Sequence, residues 1–153
     1  MDPKVALLEY LRAHKLMSLA TVGAAGPWIC TVFYAVSDDF NIYFLSHFAS
    51  RHALEITKNE KTAVTITEWD QTITDKKIGV QMEGVTHVVE QGDEHFNAME
   101  LWLKTSGAYD DKTIFEQSKV RFMVGTIFRF RPKKTKFLNE NLFGDAGIKE
   151  IEI

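Results

Sequence analysis

The feature that most constrains the fold is a run of short segments rich in β-branched and aromatic residues, separated by turn residues instead of helices. The first three of these segments lie at 16–22, 28–36 and 40–45. Glycine, alanine and proline fill 23–27, and Ser-Asp-Asp occupies 37–39. β-Branched and aromatic residues favour strands, whereas glycine, proline, serine and aspartate favour turns. The spacing therefore predicts an antiparallel meander of three strands.

Helices and further strands are expected on either side of this meander. Asp2 and Pro3 suit a helix start, and the apolar spacing of Val5, Leu8 and Leu11 predicts a helix that ends near residue 14. Two more helices are expected at 50–58 and 92–104, and three more strands at 62–67, 77–89 and 120–130. The segment 106–117 is left unassigned and the tail 137–153 is expected to be mixed. Because strands mostly follow strands, the pattern favours a mainly β (α+β) fold, a six-stranded antiparallel barrel with flanking helices, over a doubly wound sheet.

Composition narrows the class of protein. The chain has 153 residues, which indicates a single domain over 1–153. Its formal net charge is −3, which disfavours a nucleic-acid partner. The basic tract 129–136 is therefore interpreted as a solvated strand face with a turn after Pro132; a nucleic-acid contact is the weaker alternative. No apolar run approaches the roughly 20 residues that span a bilayer. We expect no membrane contact and a cytoplasmic location.

The segment 43–52, which reads YFLSHFASRH, is the strongest candidate for a binding site. A strand ends there and a helix begins, with Ser50 as the expected N-cap and Arg51 and His52 in the first turn. A helix start offers backbone N–H groups, and an added hydroxyl and guanidinium suit a phosphate. An ordinary cap with a solvated arginine explains the same residues equally well. Walker, dinucleotide-binding and nucleophile-elbow motifs are absent, and the histidines show no metal-ligand spacing.

Two strands add weaker signals. The strand 28–36 is largely apolar on both faces, which indicates a core on one side and a helix or a partner subunit on the other. Cys30 within it is interpreted as an inert core thiol. In the strand 77–89, Gly79 and Gly84 are expected at bends or close approaches. The polar Gln81 and Glu83 alternate there with apolar residues, as in a bent strand with a polar outer face.

Taken together, these segments resemble the FMN-binding split-barrel superfamily, which includes pyridoxamine 5'-phosphate oxidase. The likeness extends over 16–143. Ser50 and Arg51 match the Ser-Arg-Lys helix start that grips the FMN phosphate in that oxidase family, with His52 in the place of lysine. The segment 79–84 is similar to the family's Val-Glu-Gly pattern, and 130–137 looks like the last barrel strand of its small uncharacterised members. The arginine and lysine of the oxidase's second strand and its basic C-terminal segment have no counterpart here. The resemblance is therefore to a small member of the superfamily and not to the oxidase itself.

The resemblance implies a homodimer with FMN at the subunit interface; haem or a deazaflavin are less favoured cofactors. The cofactor-binding residues that it implies are Thr31, Val32, Phe33 and Tyr34 along the isoalloxazine, Ser46, His47, Ser50, Arg51 and His52 around the phosphate, and Gln81 from the long strand of the same or the other subunit. Tyr34 or His47 is the candidate proton donor. The expected activity is electron or hydride transfer between a reduced nicotinamide and a small-molecule acceptor. The alternative is a non-catalytic protein that binds, stores or senses flavin or haem.

Overall fold

The chain folds around one antiparallel sheet in the computed structural model, which describes residues 1–108, 125–145 and 147–153. The strands are β1 (Leu16–Gly23), β2 (Gly26–Val36), β3 (Ile42–His47), β4 (Lys61–Thr67), β5 (Ile78–Val88), β6 (Gly125–Asn139) and β7 (Ile148–Ile151). The helices are α1 (Pro3–Ala13), α2 (Arg51–Ile56), α3 (Asp93–Ser106) and α4 (Glu140–Phe143). Most of the segment 106–117 and the predicted strand start at 120–124 lie outside the described residues.

Six of the strands close into a ring in the order β3-β2-β1-β4-β5-β6, because β3 also pairs with β6; β7 adds to the outside of β6. The ring is uneven at β2. This strand pairs with β1 along most of its length but with β3 only through 34–36. One edge of 26–33 is therefore without a strand neighbour among the described residues, and we call it the open edge of β2. The predicted antiparallel split barrel with flanking helices is confirmed.

Alternation along the strands separates a packed interior from an outer face. Phe44, Phe128, Phe130 and Phe137 point inward and are at most 1% exposed. Each such side chain contributes roughly 1.5–3 kcal/mol of apolar burial. Helix α1 packs against this core through Leu7 and Leu11, which are also buried. The N-terminal helix begins as predicted, since the Asp2 carboxylate accepts a hydrogen bond from the Lys4 amide.

The predicted meander is confirmed, with one change at its first turn. β2 begins at Gly26 instead of residue 28, because the turn consists only of Ala24 and Ala25. Gly26 adopts φ 98°, a left-handed conformation that glycine adopts without strain. The hairpin is therefore tighter than its run of turn-forming residues suggested.

The prediction that a strand ends near residue 130 and turns after Pro132 is wrong. β6 continues through Pro132 to Asn139. Pro132 pairs with Gly84 and Lys134 pairs with Glu83, so Lys133 is an extra residue of β6 and the missing N–H of Pro132 falls at this bulge. A Cβ at Gly84 would lie 2.2 Å from the Arg131 carbonyl oxygen, which confirms the predicted close approach. At Gly79 the nearest atom would lie 3.5 Å away, an ordinary van der Waals distance, so no backbone within the protein approaches closely there.

Candidate functional site

The start of α2 brings three predicted side chains together. Ser50 is the N-cap, and its hydroxyl accepts a hydrogen bond from the Ala53 amide at 3.4 Å. The His52 Nε2 atom lies 2.7 Å from the Ser46 Oγ and 3.2 Å from the Ser50 Oγ. Burial lowers the pKa of His52, so the neutral ring is favoured at neutral pH. The result is a compact cluster of two hydroxyls and a neutral imidazole at the end of β3.

Arg51 is held by partners within the protein. Its Nε donates to the Glu55 Oε1 at 2.8 Å, and its guanidinium lies 4.4 Å from the centre of the Trp28 ring. The other Glu55 oxygen accepts a hydrogen bond from the Thr21 hydroxyl at 2.5 Å. The Thr21 bond, followed by the Arg51 bond, lowers the pKa of Glu55. The arginine is thus not merely solvated; it belongs to a network that also fixes the first residues of β2.

Two of the predicted site residues point elsewhere. His47 accepts a hydrogen bond from the Ala49 amide at 3.2 Å, and its exposed ring stacks on Phe48 at 4.7 Å. Tyr34 is 1% exposed and its hydroxyl donates to the Leu11 carbonyl at 2.6 Å. Burial also raises the pKa of Tyr34. The Tyr34 hydroxyl is therefore not positioned to donate a proton to a ligand, whereas the His47 ring is exposed.

The β2 residues that were predicted to bind the cofactor alternate between two environments. Thr31 and Phe33 lie exposed on the outer face, whereas Val32 and Tyr34 are buried in the interior. The Tyr34 amide donates to Lys15 on the β1 side, and the Phe33 carbonyl accepts from the Trp102 Nε1 at 3.1 Å on the opposite side. Backbone groups of alternate strand residues point in opposite directions. Ile29, Thr31 and Phe33 therefore direct their backbone N–H and C=O groups toward the open edge of β2, whereas the residues between them direct theirs toward β1.

Gln81 lies on the same outer face, but far from the open edge. Register pairing places Thr31 beside Ser18, Ser18 beside Thr65, and Thr65 beside Gln81. Three strand spacings of about 4.8 Å separate Thr31 from Gln81 by roughly 14 Å. Within one protomer these two predicted site residues do not meet.

The outer face carries exposed apolar side chains on β2 and several polar side chains on the neighbouring strands. Ile29 is 62% exposed and Phe33 is 48% exposed, although both are large and apolar. An open cavity of about 490 Å³ lies beside Ile29. Its lining consists of Ser18, Ala20, Ile29, Ala63, Val64, Thr65, Gln81, Met82, Glu83, Lys134 and Lys136. The sequence left open whether a helix or a partner subunit covers this face; among the described residues, Trp102 of α3 contacts its Phe33 end.

The sequence analysis missed Thr21, Trp28 and Glu55 as parts of the site. The four-residue spacing of Arg51 and Glu55 could have indicated an ion pair within a helix. No comparable signal exists for Thr21, which reaches Glu55 across 34 positions. Within the described ranges, no group of three or more histidine, cysteine or carboxylate side chains could hold a metal ion. No helix in the same ranges is long and apolar enough to cross a membrane.

An antiparallel ring that is open beside one strand, with a serine-capped helix start next to that opening, defines the split-barrel class of protein. Within that class, the chain belongs to the pyridoxamine 5'-phosphate oxidase family, whose sequence profile matches residues 4–139. The resemblance inferred from the sequence, to a small member of this family, is confirmed. No curated protein sequence matches the chain.

Solved structures share this fold at low sequence identity. The conserved hypothetical protein Rv2991 from Mycobacterium tuberculosis is 20% identical, with 100% of this chain and 92% of that chain covered and a TM-score of 0.75. A putative pyridoxamine 5'-phosphate oxidase from Listeria innocua is 16% identical over 90% and 99% of the two chains, with a TM-score of 0.67. The heme storage protein HutZ from Vibrio cholerae is 19% identical over 87% and 92%, with a TM-score of 0.68.

Proposed function

We propose that this protein is an FMN-binding oxidoreductase that moves electrons between a reduced nicotinamide and a small acceptor. The observation that carries the proposal is the contact between Arg51 and Trp28. It joins a helix start that suits a phosphate to the strand whose open edge suits a flat heterocyclic ring. A nucleotide-like ligand with a phosphate at one end and a planar ring at the other needs both features side by side.

The chemistry of the α2 start fits a phosphate monoester. The Ser46 and Ser50 hydroxyls can donate to phosphate oxygens, and the neutral His52 ring can accept or donate as its neighbours require. Arginine carries five N–H donors, and Arg51 uses its Nε–H on Glu55. The remaining donors are available for a charge-assisted contact with the ligand.

The open edge of β2 fits the ring of the cofactor. The backbone groups of Ile29 and Thr31 and the N–H of Phe33 face this edge and provide donors and acceptors in a fixed line, as at other sheet edges, whereas the Phe33 carbonyl already accepts from Trp102. The exposed Thr31 and Phe33 side chains flank that line. Val32 and Tyr34 are buried and direct their backbone groups toward β1, so we expect them to shape the edge without contacting the ring. FMN bound there would supply the redox chemistry, and the protein would orient it and exclude water.

We infer that the functional unit is a homodimer with the cofactor at its interface. The exposed Ile29 gives the outer face an apolar contact point that would be covered in such a dimer. Gln81 lies roughly 14 Å from Thr31, about three strand spacings, so its predicted contact with the cofactor is better provided by the second subunit.

The test is FMN binding by the purified protein and by an Arg51→Ala variant, followed by flavin absorbance and fluorescence. Loss of a hydrogen bond to a charged group should weaken FMN binding by about 1.5–3 kcal/mol, which is roughly 10- to 150-fold. Arg131→Ala, at an exposed arginine on β6, is the matched control and should bind like the unmodified protein. Unchanged affinity in a folded Arg51→Ala variant would show that the phosphate binds elsewhere.

A second candidate is a protein that binds, stores or senses a flavin or haem without turnover. The shared fold with the heme storage protein HutZ favours testing it. A haem-type absorption band that survives desalting, together with no oxidation of reduced nicotinamide by the flavin-loaded protein, would support this candidate. Steady oxidation of reduced nicotinamide in the presence of FMN would support the enzyme; a deazaflavin would be recognised by its different absorption spectrum.

A further inference from the structure

A second cavity on the outer face contains side chains that the cofactor proposal does not use. It has a volume of about 490 Å³ and lies where the end of α1 meets β2 and the end of β4. We call it the Glu68 cleft. Its lining includes His14, Lys15, Thr31, Phe33, Glu68 and Trp69. Because Thr31 and Phe33 also flank the open edge of β2, a ligand in the cleft would lie next to the proposed cofactor ring.

The carboxylate of Glu68 is held in place on one side only. The His14 Nε2 lies 3.0 Å from the Glu68 Oε1. The other ring nitrogen of His14, Nδ1, lies 2.7 Å from the Tyr10 carbonyl oxygen, which can only accept, so the ring holds both acceptors together when each nitrogen carries a proton. The Tyr10 ring, whose centre lies 4.2 Å from that of His14 at an interplanar angle of 38°, further fixes the imidazole. The second Glu68 oxygen has no hydrogen-bond partner among the described residues, and the side chain is 37% exposed.

Two aromatic side chains border this carboxylate. Trp69 is 82% exposed and Phe33 is 48% exposed, and both line the cleft. Exposed aromatic rings provide surfaces on which another planar ring can stack. A fixed acceptor beside such surfaces suits a ring that bears an N–H donor. A ring that bears a negative charge would instead be repelled by the Glu68 carboxylate.

We propose that the Glu68 cleft binds a planar heteroaromatic ring carrying a carboxamide, and that the second Glu68 oxygen accepts a hydrogen bond from its N–H group. This rests on the proposed function, because the reduced nicotinamide that would donate electrons has such a ring. Lys15 also lines the cleft, but its amine is directed toward the end of α3, 4.0 Å from the position that a Cβ would take at Gly107. There it lies near the negative end of the helix dipole.

The test compares two probes that differ only in the charged group. Reduced nicotinamide mononucleotide and reduced nicotinic acid mononucleotide are titrated into the full chain, both without FMN and after FMN loading, with tryptophan fluorescence as the readout. The carboxamide probe should bind at least about tenfold more tightly, since it gains a hydrogen bond to a charged acceptor. Glu68→Gln should bring the two affinities to within about twofold by removing the charge. Glu152→Gln, at an exposed C-terminal carboxylate, should leave the preference unchanged.

A Trp69→Phe variant locates the bound ring. It should lose most of the fluorescence change on binding while it keeps the carboxamide preference, because Trp28 and Trp102 lie outside the cleft lining. Equal affinity for the acid and the amide, a preference that survives Glu68→Gln, or failure of both probes to bind either form of the protein would overturn the proposal. FMN titration is a separate measurement: a carboxamide preference in a protein that refuses FMN would overturn the flavin proposal and uphold this one.

Discussion

The start of α2 and the Glu68 cleft each place a carboxylate beside a basic side chain, but they differ in how completely those charges are satisfied. Glu55 is 9% exposed, and both of its oxygens accept hydrogen bonds, from Arg51 and Thr21. Glu68 is several times more exposed and only one of its oxygens is bonded, by His14. The first arrangement is completed within the protein, whereas the second keeps an open acceptor.

This difference indicates that Glu55 contributes mainly to the stability of the fold, whereas Glu68 is available for ligand recognition. A nearly buried carboxylate must have its partners, because losing one leaves a charge that water cannot reach. A half-exposed ion pair is stabilised little by its partner, since water solvates both groups. We therefore expect substitutions around Glu55 to affect folding first, and substitutions at Glu68 to affect binding first. A phosphate at the α2 start must also share Arg51 with Glu55.

The largest effect is expected for Thr21→Val, which keeps the side-chain shape but removes the donor to Glu55. Leaving this oxygen unsatisfied should lower the Tm by roughly 5 °C. Thr135→Val is the matched control, because Thr135 is fully buried and its hydroxyl has no hydrogen-bond partner among the described residues. That variant should melt at or above the Tm of the unmodified protein. Equal losses of Tm in the two variants, measured by thermal unfolding, would show that the hydrogen bond from Thr21 to Glu55 adds nothing to the stability of the fold.

A smaller effect is expected from pH at His52. Burial lowers the pKa of His52 below its ordinary value of 6.5, so the unfolded chain binds the proton more readily. Stability is therefore complete above about pH 6.5 and is lost as the pH falls toward the folded-state pKa. The lowered pKa of Glu55 acts in a separate range, below its ordinary value of 4.5, where falling pH again removes stability.

The measurement is the Tm between pH 7.5 and 5.5 for the unmodified protein and for His52→Gln. This range reports on His52 and excludes the Glu55 range. The unmodified protein should lose more of its Tm on acidification than the variant does. Identical slopes would mean that His52 titrates alike in the folded and unfolded chains, contrary to its burial between Ser46 and Ser50.

Local patterns were sufficient to predict much of the fold. The Asp2 cap, the apolar spacing of α1 and the turn residues between strands each act within a few positions, and the corresponding elements are observed. The path of β6 could not be predicted in the same way. Pro132 resembles a turn signal, and only its pairing with Gly84, 48 positions earlier, next to the bulge at Lys133, allows the strand to continue.

The candidate site shows the same limit. A strand end followed by a capped helix was enough to predict that Ser46, Ser50 and His52 lie together, because they are close in sequence. The contacts that define the two compared regions extend across 34 positions for Thr21 and 54 positions for His14. Such contacts depend on strand order, which hydrophobic periodicity does not determine. The roles of the predicted cofactor-binding residues stay predictions until binding is measured.

The smallest expected effect on stability is that of Glu68→Gln, and it tests most directly whether Glu68 and Glu55 have different roles. Because the Glu68 side chain is 37% exposed, its pairing with His14 should add little to folding. We expect the Tm to change by about 3 °C or less, well below the loss for Thr21→Val. Combining the two substitutions should give additive changes, since the networks share no residue. A Tm loss as large as that of Thr21→Val would instead show that Glu68 stabilises the fold by anchoring the end of α1 through His14. Its role would then be structural and not ligand binding.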